Sequence, residues 1–407
     1  MGLTVAGLVT GSLPAIPTAT AATLPGAASF GPKTAAFGPA TPALVPATAN
    51  RLVRNDALYG VSCTSWQQCM AVGSRASARA VNFGPLAERW DGTRWRVVPT
   101  PGPAKLAHAL LTEVSCRSGR DCVATGYHYR PGGNGFAVLA EHWNGTRWRI
   151  IQSRNPATAG SAFLNGVSCR GSVGCMAVGG YSGRSGEGHA LAEQWANGRW
   201  RILRLHWPAG ARSTELDGLS CVGRFCMAVG MYANASGQVL SLAERWTGAS
   251  WQLLHSANPG VPISVLQDVS CHTTSLCMAI GFTDWSRERP LAELWMNGSW
   301  RLVPGGRLAG GALNGISCRG PIWCIAVGSV GNKPLSETWS GKSWWVVQTQ
   351  QAGDRPANQL NQLSCSTRTV RCIAVGARYE PGQSVKEATL AEWWNGRSWR
   401  VMTSRNP

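Results

Sequence analysis

Three carboxylates occupy positions from which the chain could perform acid–base chemistry. Glu113, Asp217 and Asp268 each follow, by one or two positions, a leucine that recurs along the chain. Two carboxylates facing one ligand can act as general acid and base on a glycosidic bond, or can hold a cation. No Ser/His/Asp or Cys/His order accompanies them, and the seven histidines are scattered. These three residues are therefore the catalytic candidates, and the sequence predicts no metal site and no cofactor.

A second group combines aromatic and basic side chains in the segments between apolar runs. Aromatic rings and guanidinium groups together suit glycans or anionic polymers. The plain alternative is that these are ordinary polar loop residues. The candidates for ligand binding are Tyr127, Arg130, Tyr181, Arg184, His189, Tyr232, Trp285, Arg287, Arg378 and Tyr379.

Fourteen cysteines form seven local pairs whose first members recur every 47 to 53 residues. A metal site would favour tighter C-x-x-C spacing or histidines in register, and no histidine recurs. The pattern therefore predicts seven local disulfides, one per repeat, in an oxidising compartment. The predicted pairs are Cys63–Cys69, Cys116–Cys122, Cys169–Cys175, Cys221–Cys226, Cys271–Cys277, Cys318–Cys324 and Cys365–Cys372.

Each repeat contains four short strand-like runs separated by turn signals. The third copy runs through Leu164–Cys169, Cys175–Gly179, Leu191–Trp195 and Trp200–Leu205. Asn-Gly pairs such as Asn144-Gly145 lie between two apolar runs, which is a strong hairpin signal because both turn residues then take positive φ. Seven units of four antiparallel strands predict an all-β, seven-bladed β-propeller. An open solenoid is the alternative, but neither terminal copy looks like a capping unit.

Two motifs carry a resemblance to a known group of proteins. They are Trp143-Asn144-Gly145-Thr146-Arg147-Trp148, and Ser168-Cys169 followed by Cys175 to Gly179. In these motifs, over residues 57–402, the chain resembles secreted actinobacterial propeller-like proteins with tandem repeats, which are largely uncharacterised. The tryptophan hairpin is also distantly similar to those of Asp-box and kelch-type propellers. It lacks the Ser-x-Asp core, so the resemblance implies no sialidase activity.

One glutamate recurs in every repeat, at the same position of the third strand. Seven equivalent copies favour a structural ladder over a catalytic site, with each carboxylate accepting backbone N–H groups or pairing with an arginine such as Arg96. The 14 tryptophans that recur in register are expected to pack between blades. The ladder consists of Glu88, Glu141, Glu193, Glu244, Glu293, Glu337 and Glu392.

The two ends of such a disk differ in their regularity. The turns from first to second and third to fourth strand carry the cysteine pairs and the tryptophan hairpins, and we call this the disulfide end. The second-to-third loops and the connections between blades vary in length and form the irregular end. Since functional loops differ from one another on a rigid scaffold, both groups of candidates are expected at the irregular end.

Composition and the N-terminal region complete the prediction. The net charge of +18 comes from 33 Arg and 5 Lys against 20 Asp and Glu. It favours anionic partners, but the arginines form no basic run, which disfavours nucleic acid. No apolar stretch of 18 residues follows residue 50, so no membrane span is predicted. Residues 1–22 are predicted as a signal peptide, 23–50 as an Ala/Pro/Thr-rich linker and 51–407 as the propeller.

The predicted function follows from these observations. The chain is expected to be a secreted, monomeric, non-catalytic binding or scaffold protein for a polysaccharide, another anionic polymer or a protein. The alternative is a glycoside hydrolase or polysaccharide lyase with its site at the mouth of the central channel. Fold alone does not decide between them.

Overall fold

The computed structural model describes residues 56–76, 83–101, 108–131, 135–170, 172–183, 186–304, 310–350, 358–366, 369–380 and 386–404. The predicted signal peptide and linker lie outside these ranges. Arg51-Leu52-Val53 also lies outside them; its similarity to the fourth-strand run Arg301-Leu302-Val303 predicts an additional strand beside the last blade.

Twenty-eight strands form seven four-stranded antiparallel sheets. The first strands are β1 (Asp56–Ser65), β5 (Ala109–Ser118), β9 (Ser161–Ser168), β13 (Ser213–Val222), β17 (Ser264–Thr273), β21 (Ala312–Gly320) and β25 (Asn358–Cys365). The second strands are β2 (Gln68–Ala76), β6 (Asp121–Tyr129), β10 (Cys175–Ser182), β14 (Phe225–Ala233), β18 (Leu276–Thr283), β22 (Trp323–Val330) and β26 (Cys372–Glu380). The third strands are β3 (Phe83–Trp90), β7 (Phe136–Trp143), β11 (Gly188–Ala196), β15 (Val239–Trp246), β19 (Arg289–Met296), β23 (Lys333–Trp339) and β27 (Lys386–Trp394). The fourth strands are β4 (Trp95–Val97), β8 (Trp148–Ile150), β12 (Arg199–Leu203), β16 (Trp251–Leu254), β20 (Ser299–Leu302), β24 (Trp344–Val346) and β28 (Trp399–Met402).

The seven sheets form a closed ring. Each first strand contacts the first strands of both neighbouring sheets, and β25 contacts β1. The first strands therefore surround the axis, and each sheet is one blade built from consecutive strands. The predicted all-β, seven-bladed propeller is confirmed, and the open solenoid is excluded. Within the described ranges, no helix has the length and hydropathy needed to cross a membrane.

All seven predicted disulfides are present, one in each blade. In β1 and β2, Cys63 and Cys69 are direct cross-strand partners, so the bond joins the end of one strand to the start of the next. By the chain-entropy model, a loop this short gains about 2 kcal/mol from each bond.

The hydrophobic cores lie between blades, because each sheet buries its faces against its neighbours. Trp90 and Trp95 of blade 1, for example, share a core cluster with Ile373 and Met402 of blade 7. Thirteen of the 14 register tryptophans are buried, and Trp195 is half-buried. Their predicted packing between blades is confirmed.

A ring of serine hydroxyls joins the blades at the disulfide end. In every S-C motif the serine Oγ accepts a hydrogen bond from the cysteine N–H of the next blade. Cys116 N–H donates to Ser62 at 3.0 Å, and Cys63 N–H donates to Ser364 at 3.0 Å. The last of these bonds closes the ring, together with the amide of Asn361, which donates to Leu58 O at 2.8 Å. The remaining donor–acceptor pairs are Cys169–Ser115, Cys221–Ser168, Cys271–Ser220, Cys318–Ser270 and Cys365–Ser317.

The tryptophan hairpins have two geometries, and the predicted positive φ at both turn residues is wrong for one of them. Asn197 and Asn297 adopt φ of 53° and precede left-handed glycines. At Asn144 the side chain caps a longer turn instead, with its Oδ1 accepting the N–H groups of Thr146 and Arg147. Asp91 does the same in blade 1, and these hydrogen bonds lower its pKa below the ordinary range.

Each ladder glutamate is fully buried. Ser153 Oγ, in the connection before blade 3, donates to Glu193 Oε2 at 2.6 Å, and Ser256 makes the equivalent 2.7 Å contact with Glu293. These glutamates therefore anchor the chain that arrives from the preceding blade. The proposed arginine partner Arg96 lies at the surface and pairs with Asp91 at 3.1 Å.

Burial raises the pKa of five ladder carboxyls, those of Glu88, Glu193, Glu244, Glu293 and Glu392. The pKa rises to about 8 for Glu88, Glu244 and Glu392, and to about 7 for Glu193, because the charged form loses its hydration inside the protein. The folded state therefore favours the protonated form of these buried carboxyls.

Candidate functional site

Every first strand contains a β-bulge, and the residues one position beyond it lie close to those of the neighbouring blades. The register of the first strand shifts at the same place in all seven blades. The seven residues that follow the bulges form what we call the axial layer. They are Gly60, Glu113, Gly166, Gly218, Asp268, Gly315 and Gln362.

Glycine is required where the axial layer meets a neighbouring side chain. A Cβ added at Gly218 would lie 2.5 Å from Asp268 Cα, and one added at Gly60 would lie 2.7 Å from Glu113 Cα. Atoms this close overlap, so the first strands approach too closely for a side chain at these positions. Every side chain of the axial layer accordingly has glycine in both flanking blades.

Glu113, Asp268 and Gln362 converge on the axis. Gln362 Nε2 donates to Glu113 Oε2 at 2.8 Å and to Asp268 Oδ2 at 3.2 Å. Backbone N–H groups also bind these side chains, with Val114 donating to Glu113 Oε1 and Ile316 donating to Asp268 Oδ2, both at 2.9 Å. The three side chains are between 6% and 9% exposed. The structure thus brings two of the three predicted carboxylates to one amide.

The third predicted carboxylate belongs to a different group. Asp217 is itself a bulge residue, 3% exposed, and its Oδ1 accepts a 2.9 Å hydrogen bond from Asn165 Nδ2. The same amide group donates to Glu215 Oε1 at 3.1 Å and to the backbone oxygen of Leu216. Asp217 therefore takes part in the contact between blades 3 and 4.

A cavity of about 400 Å³ extends from the axial layer toward the disulfide end. We call it the axial cavity. Its wall holds a belt of apolar side chains, including Val114 and Ile316, and then the serine ring. Arg170, His272 and Arg319 surround its mouth. The sequence predicted that these carboxylates lie at the irregular end. The axial cavity, which Glu113 and Asp268 line, opens at the disulfide end instead.

Two of the predicted ligand-binding residues have packing roles at the irregular end of blade 2. Tyr127 is 6% exposed and its ring lies 5.0 Å from Phe136 in an aromatic cluster. Arg130 donates from Nε to Phe136 O at 3.1 Å and from an Nη to Ala159 O, so it holds the loop to the next blade.

Blade 3 presents a tier of aromatic rings at the irregular end. The centroids of Tyr181 and His189 are 5.1 Å apart, and His189 lies 5.5 Å from Trp207, which is 43% exposed. An open groove of about 530 Å³ runs along this tier, and we call it the blade 3 groove. Its lining includes Pro156, Tyr181, Arg204, His206 and Trp207.

Sequence reasoning missed Trp207. It is one of six tryptophans outside the repeat register, and it lies in the connection to blade 4, immediately before Pro208. A tryptophan without a structural position in the repeat is the signal that could have identified it.

Four other predicted residues lie in other blades, and they are Trp285, Arg287, Tyr232 and Arg378. Trp285 is 39% exposed with its ring 5.0 Å from Phe282, and Arg287 is exposed near it in sequence. Tyr232 is half-buried against a core cluster, and burial raises its pKa. Arg378 is half-buried opposite Asn358. Arg184 and the side chain of Tyr379 lie outside the described residues.

The part of the chain that the structure describes contains no group of three or more His, Cys, Asp or Glu side chains arranged to hold a metal ion. The chemistry available at the axial layer is that of two carboxylates and an amide, and at the blade 3 groove it is that of contacting aromatic rings with nearby basic side chains.

Comparisons with known proteins find likenesses among solved structures. YCF48 from Cyanidioschyzon merolae is 12% identical, with a TM-score of 0.46, covering 79% of this chain and 92% of that chain. The WD40 repeats of RRP9 are 11% identical with a TM-score of 0.48, covering 78% and 86%. The fucose-specific lectin from Aleuria aurantia is 11% identical with a TM-score of 0.44, covering 86% and 95%. No family model and no curated protein matches the chain, so its resemblance to actinobacterial repeat proteins stays a prediction.

Proposed function

We propose that this chain is a secreted, non-catalytic binding protein that recognises an anionic polysaccharide through the blade 3 groove. The observation that carries the proposal is the tier of Tyr181, His189 and Trp207, in which an exposed indole contacts the ring of His189 and that ring contacts Tyr181. Such a rigid aromatic platform offers a large contact area at low entropic cost, and sugar rings stack on it through their C–H faces.

The charges near the groove suit an acidic sugar chain. Arg204 and His206 are exposed and line the groove beside Trp207. The net charge of +18 attracts an anionic polymer over longer distances, and an arginine can bind a carboxylate through two hydrogen bonds. Secretion is supported by the seven disulfides, because such bonds persist in oxidising compartments.

A comparison of two tryptophan variants tests the proposal. Trp207→Ala removes the platform, whereas Trp345→Ala removes an indole that is 64% exposed on the outer strand of blade 6. A glycan array first identifies bound polysaccharides, and calorimetry then measures the affinities. We expect Trp207→Ala to lower the affinity about tenfold or more and Trp345→Ala to leave it unchanged.

Two results would contradict the proposal. In one, no acidic or neutral polysaccharide binds while a pull-down recovers a specific protein partner. In the other, both tryptophan variants bind the polysaccharide as the unmodified protein does. Circular dichroism of both variants serves as the control for folding.

Glycoside hydrolase or lyase activity is a second candidate, favoured by one observation. Glu113 and Asp268 contact the same nitrogen of Gln362, so their nearest oxygens lie within about 6 Å, a spacing compatible with paired catalytic carboxylates. Release of reducing ends or unsaturated products from a polysaccharide tests this candidate. An activity that survives both Glu113→Gln and Asp268→Asn would rule out these two residues as its source.

A further inference from the structure

The axial cavity has opposite charges at its two ends. The carboxylates of Glu113 and Asp268 lie at its floor, whereas the guanidinium groups of Arg170 and Arg319 lie at its mouth. His272 adds a ring nitrogen at the same level. Between the two levels, the wall is the apolar belt followed by the serine ring. This arrangement is distinct from the blade 3 groove in position, in charge and in lining.

The charge pattern is specific to a few blades and is not a repeated feature. The axial layer carries a side chain only in blades 2, 5 and 7, and two of these three side chains are acidic. The position after the first cysteine of the repeat lines the mouth in blades 3 to 6, where it is Arg170, Val222, His272 and Arg319. A scaffold requirement would recur in every blade, as the serines and the ladder glutamates do.

The depth of the cavity defines the size of a molecule that reaches both ends. The axial layer and the mouth are four residues apart on each first strand, which corresponds to about 13 Å at about 3.3 Å per residue. Taking this backbone rise as the spacing of the two charged levels, hydrogen bonds of about 2.8 Å at each end leave about 7 to 8 Å between the charged groups of a ligand. A chain of five or so methylene groups has about this length and fits the apolar belt between them.

We propose that the axial cavity binds a small linear ω-amino acid, with its ammonium group at Glu113 and Asp268 and its carboxylate at Arg170 and Arg319. The apolar belt contacts the methylene chain. The cavity volume of about 400 Å³ is within the range of small-molecule sites and exceeds the space that such a ligand occupies, so water fills the remainder.

A set of three matched probes tests the proposal by calorimetry or by ligand-observed NMR. The probes are 6-aminohexanoate, hexylamine, which lacks the carboxylate, and hexanoate, which lacks the amine. We expect 6-aminohexanoate to bind about tenfold more tightly than either probe with a single charge, because each charged end contributes an ionic contact. Failure of 6-aminohexanoate to bind at millimolar concentration, or equal binding of all three probes, would overturn the proposal.

A charge reversal at the mouth gives a second test that does not disturb the buried floor. The side chain of Arg170 is accessible at the mouth, although the atoms packed around the guanidinium group lower its pKa by desolvation. Circular dichroism therefore checks that Arg170→Glu is folded. This variant should lose affinity for 6-aminohexanoate and gain affinity for 1,6-diaminohexane, which changes the ratio of the two dissociation constants about tenfold or more.

Arg212→Glu makes the same change of charge at the irregular end, at an exposed residue outside both sites, and should leave that ratio unchanged. An unchanged ratio in Arg170→Glu would show that the mouth does not contact the ligand. At the floor, the double variant Glu113→Gln/Asp268→Asn keeps the acceptor oxygens and should abolish the preference for an ammonium group. Arg170→Glu and the double variant leave the blade 3 groove unaltered, so the outcome of these tests does not depend on polysaccharide binding.

Discussion

Ionisation of Glu244 should oppose folding, and this can be measured as a dependence of stability on pH. Glu244 is fully buried, its Oε2 lies 3.5 Å from the N–H of His206, and burial raises its pKa from 4.5 to about 8. The folded state therefore holds this proton more tightly than the unfolded chain does. The stabilisation is fully present below pH 4.5, and it is lost as the pH rises through about 8.

The size of the effect follows from the shift. One pKa unit corresponds to about 1.4 kcal/mol, so the shift at Glu244 corresponds to about 4 to 5 kcal/mol once the pH exceeds both values. Glu244→Gln keeps an acceptor oxygen and cannot ionise. Near pH 4.5, we expect the free energies of unfolding of the variant and the unmodified protein to differ by less than about 1 kcal/mol. Near pH 8.5, we expect that of the variant to be larger by about 3 to 5 kcal/mol.

Urea unfolding at several pH values between these limits measures this difference directly. Glu187→Gln, which changes an exposed glutamate, is the control and should give a pH profile parallel to that of the unmodified protein. The other ladder glutamates contribute equally to both proteins, so the difference between the two curves isolates Glu244. Parallel curves for Glu244→Gln, or a variant less stable near pH 8.5, would refute the argument.

Two further substitutions test the contacts between blades. Ser220→Ala removes the acceptor of one bond in the serine ring and should lower the free energy of unfolding by about 1 to 2 kcal/mol, whereas the exposed Ser236→Ala should have no effect in the same urea titration. Gly60→Ala places a Cβ against the next blade, so it should lower the melting temperature and reduce the free energy of unfolding by about 2 kcal/mol or more. The control is Gly84→Ala, whose Cβ meets no atom within 4 Å and which should leave the melting temperature unchanged in calorimetry. Equal melting temperatures for the two glycine variants would contradict the close approach.

The fold was predictable from the sequence because its signals lie within single repeats. Cysteines such as Cys63 and Cys69 pair across one turn, and the tryptophan hairpins join adjacent strands. These contacts depend on spacing along the chain, which the period displays directly. The geometry at Asn144 was not predictable in the same way, since a side-chain cap and a positive φ both use Asn-Gly.

Contacts between blades could not be predicted from the spacing of motifs along the chain. The serine of each S-C motif is obvious in the sequence, but its acceptor role requires the next first strand to be within hydrogen-bonding distance. At the irregular end, Tyr127 and Arg130 looked like ligand residues because their types suit a ligand, and the structure gives them packing partners instead. Trp207 was missed because it lies in a connection that the repeat pattern does not cover.

The axial layer shows how nearly identical blades can form an asymmetric site. Two sets of hydrogen bonds join the blades without the axial side chains, one from bulge residues such as Asn361 on one side of this layer and one from the serine ring on the other. Changes within the layer leave these two sets of bonds in place, and the remaining constraint is steric, because a Cβ at Gly60 or Gly218 would lie within 2.7 Å of a backbone Cα of the next blade. The layer has side chains at three of its seven positions, Glu113, Asp268 and Gln362, and each of them has glycine in both flanking blades. Because seven is odd, side chains separated by glycine cannot alternate strictly around the ring, so two glycine blades, 3 and 4, lie side by side and the two acidic residues form an asymmetric site.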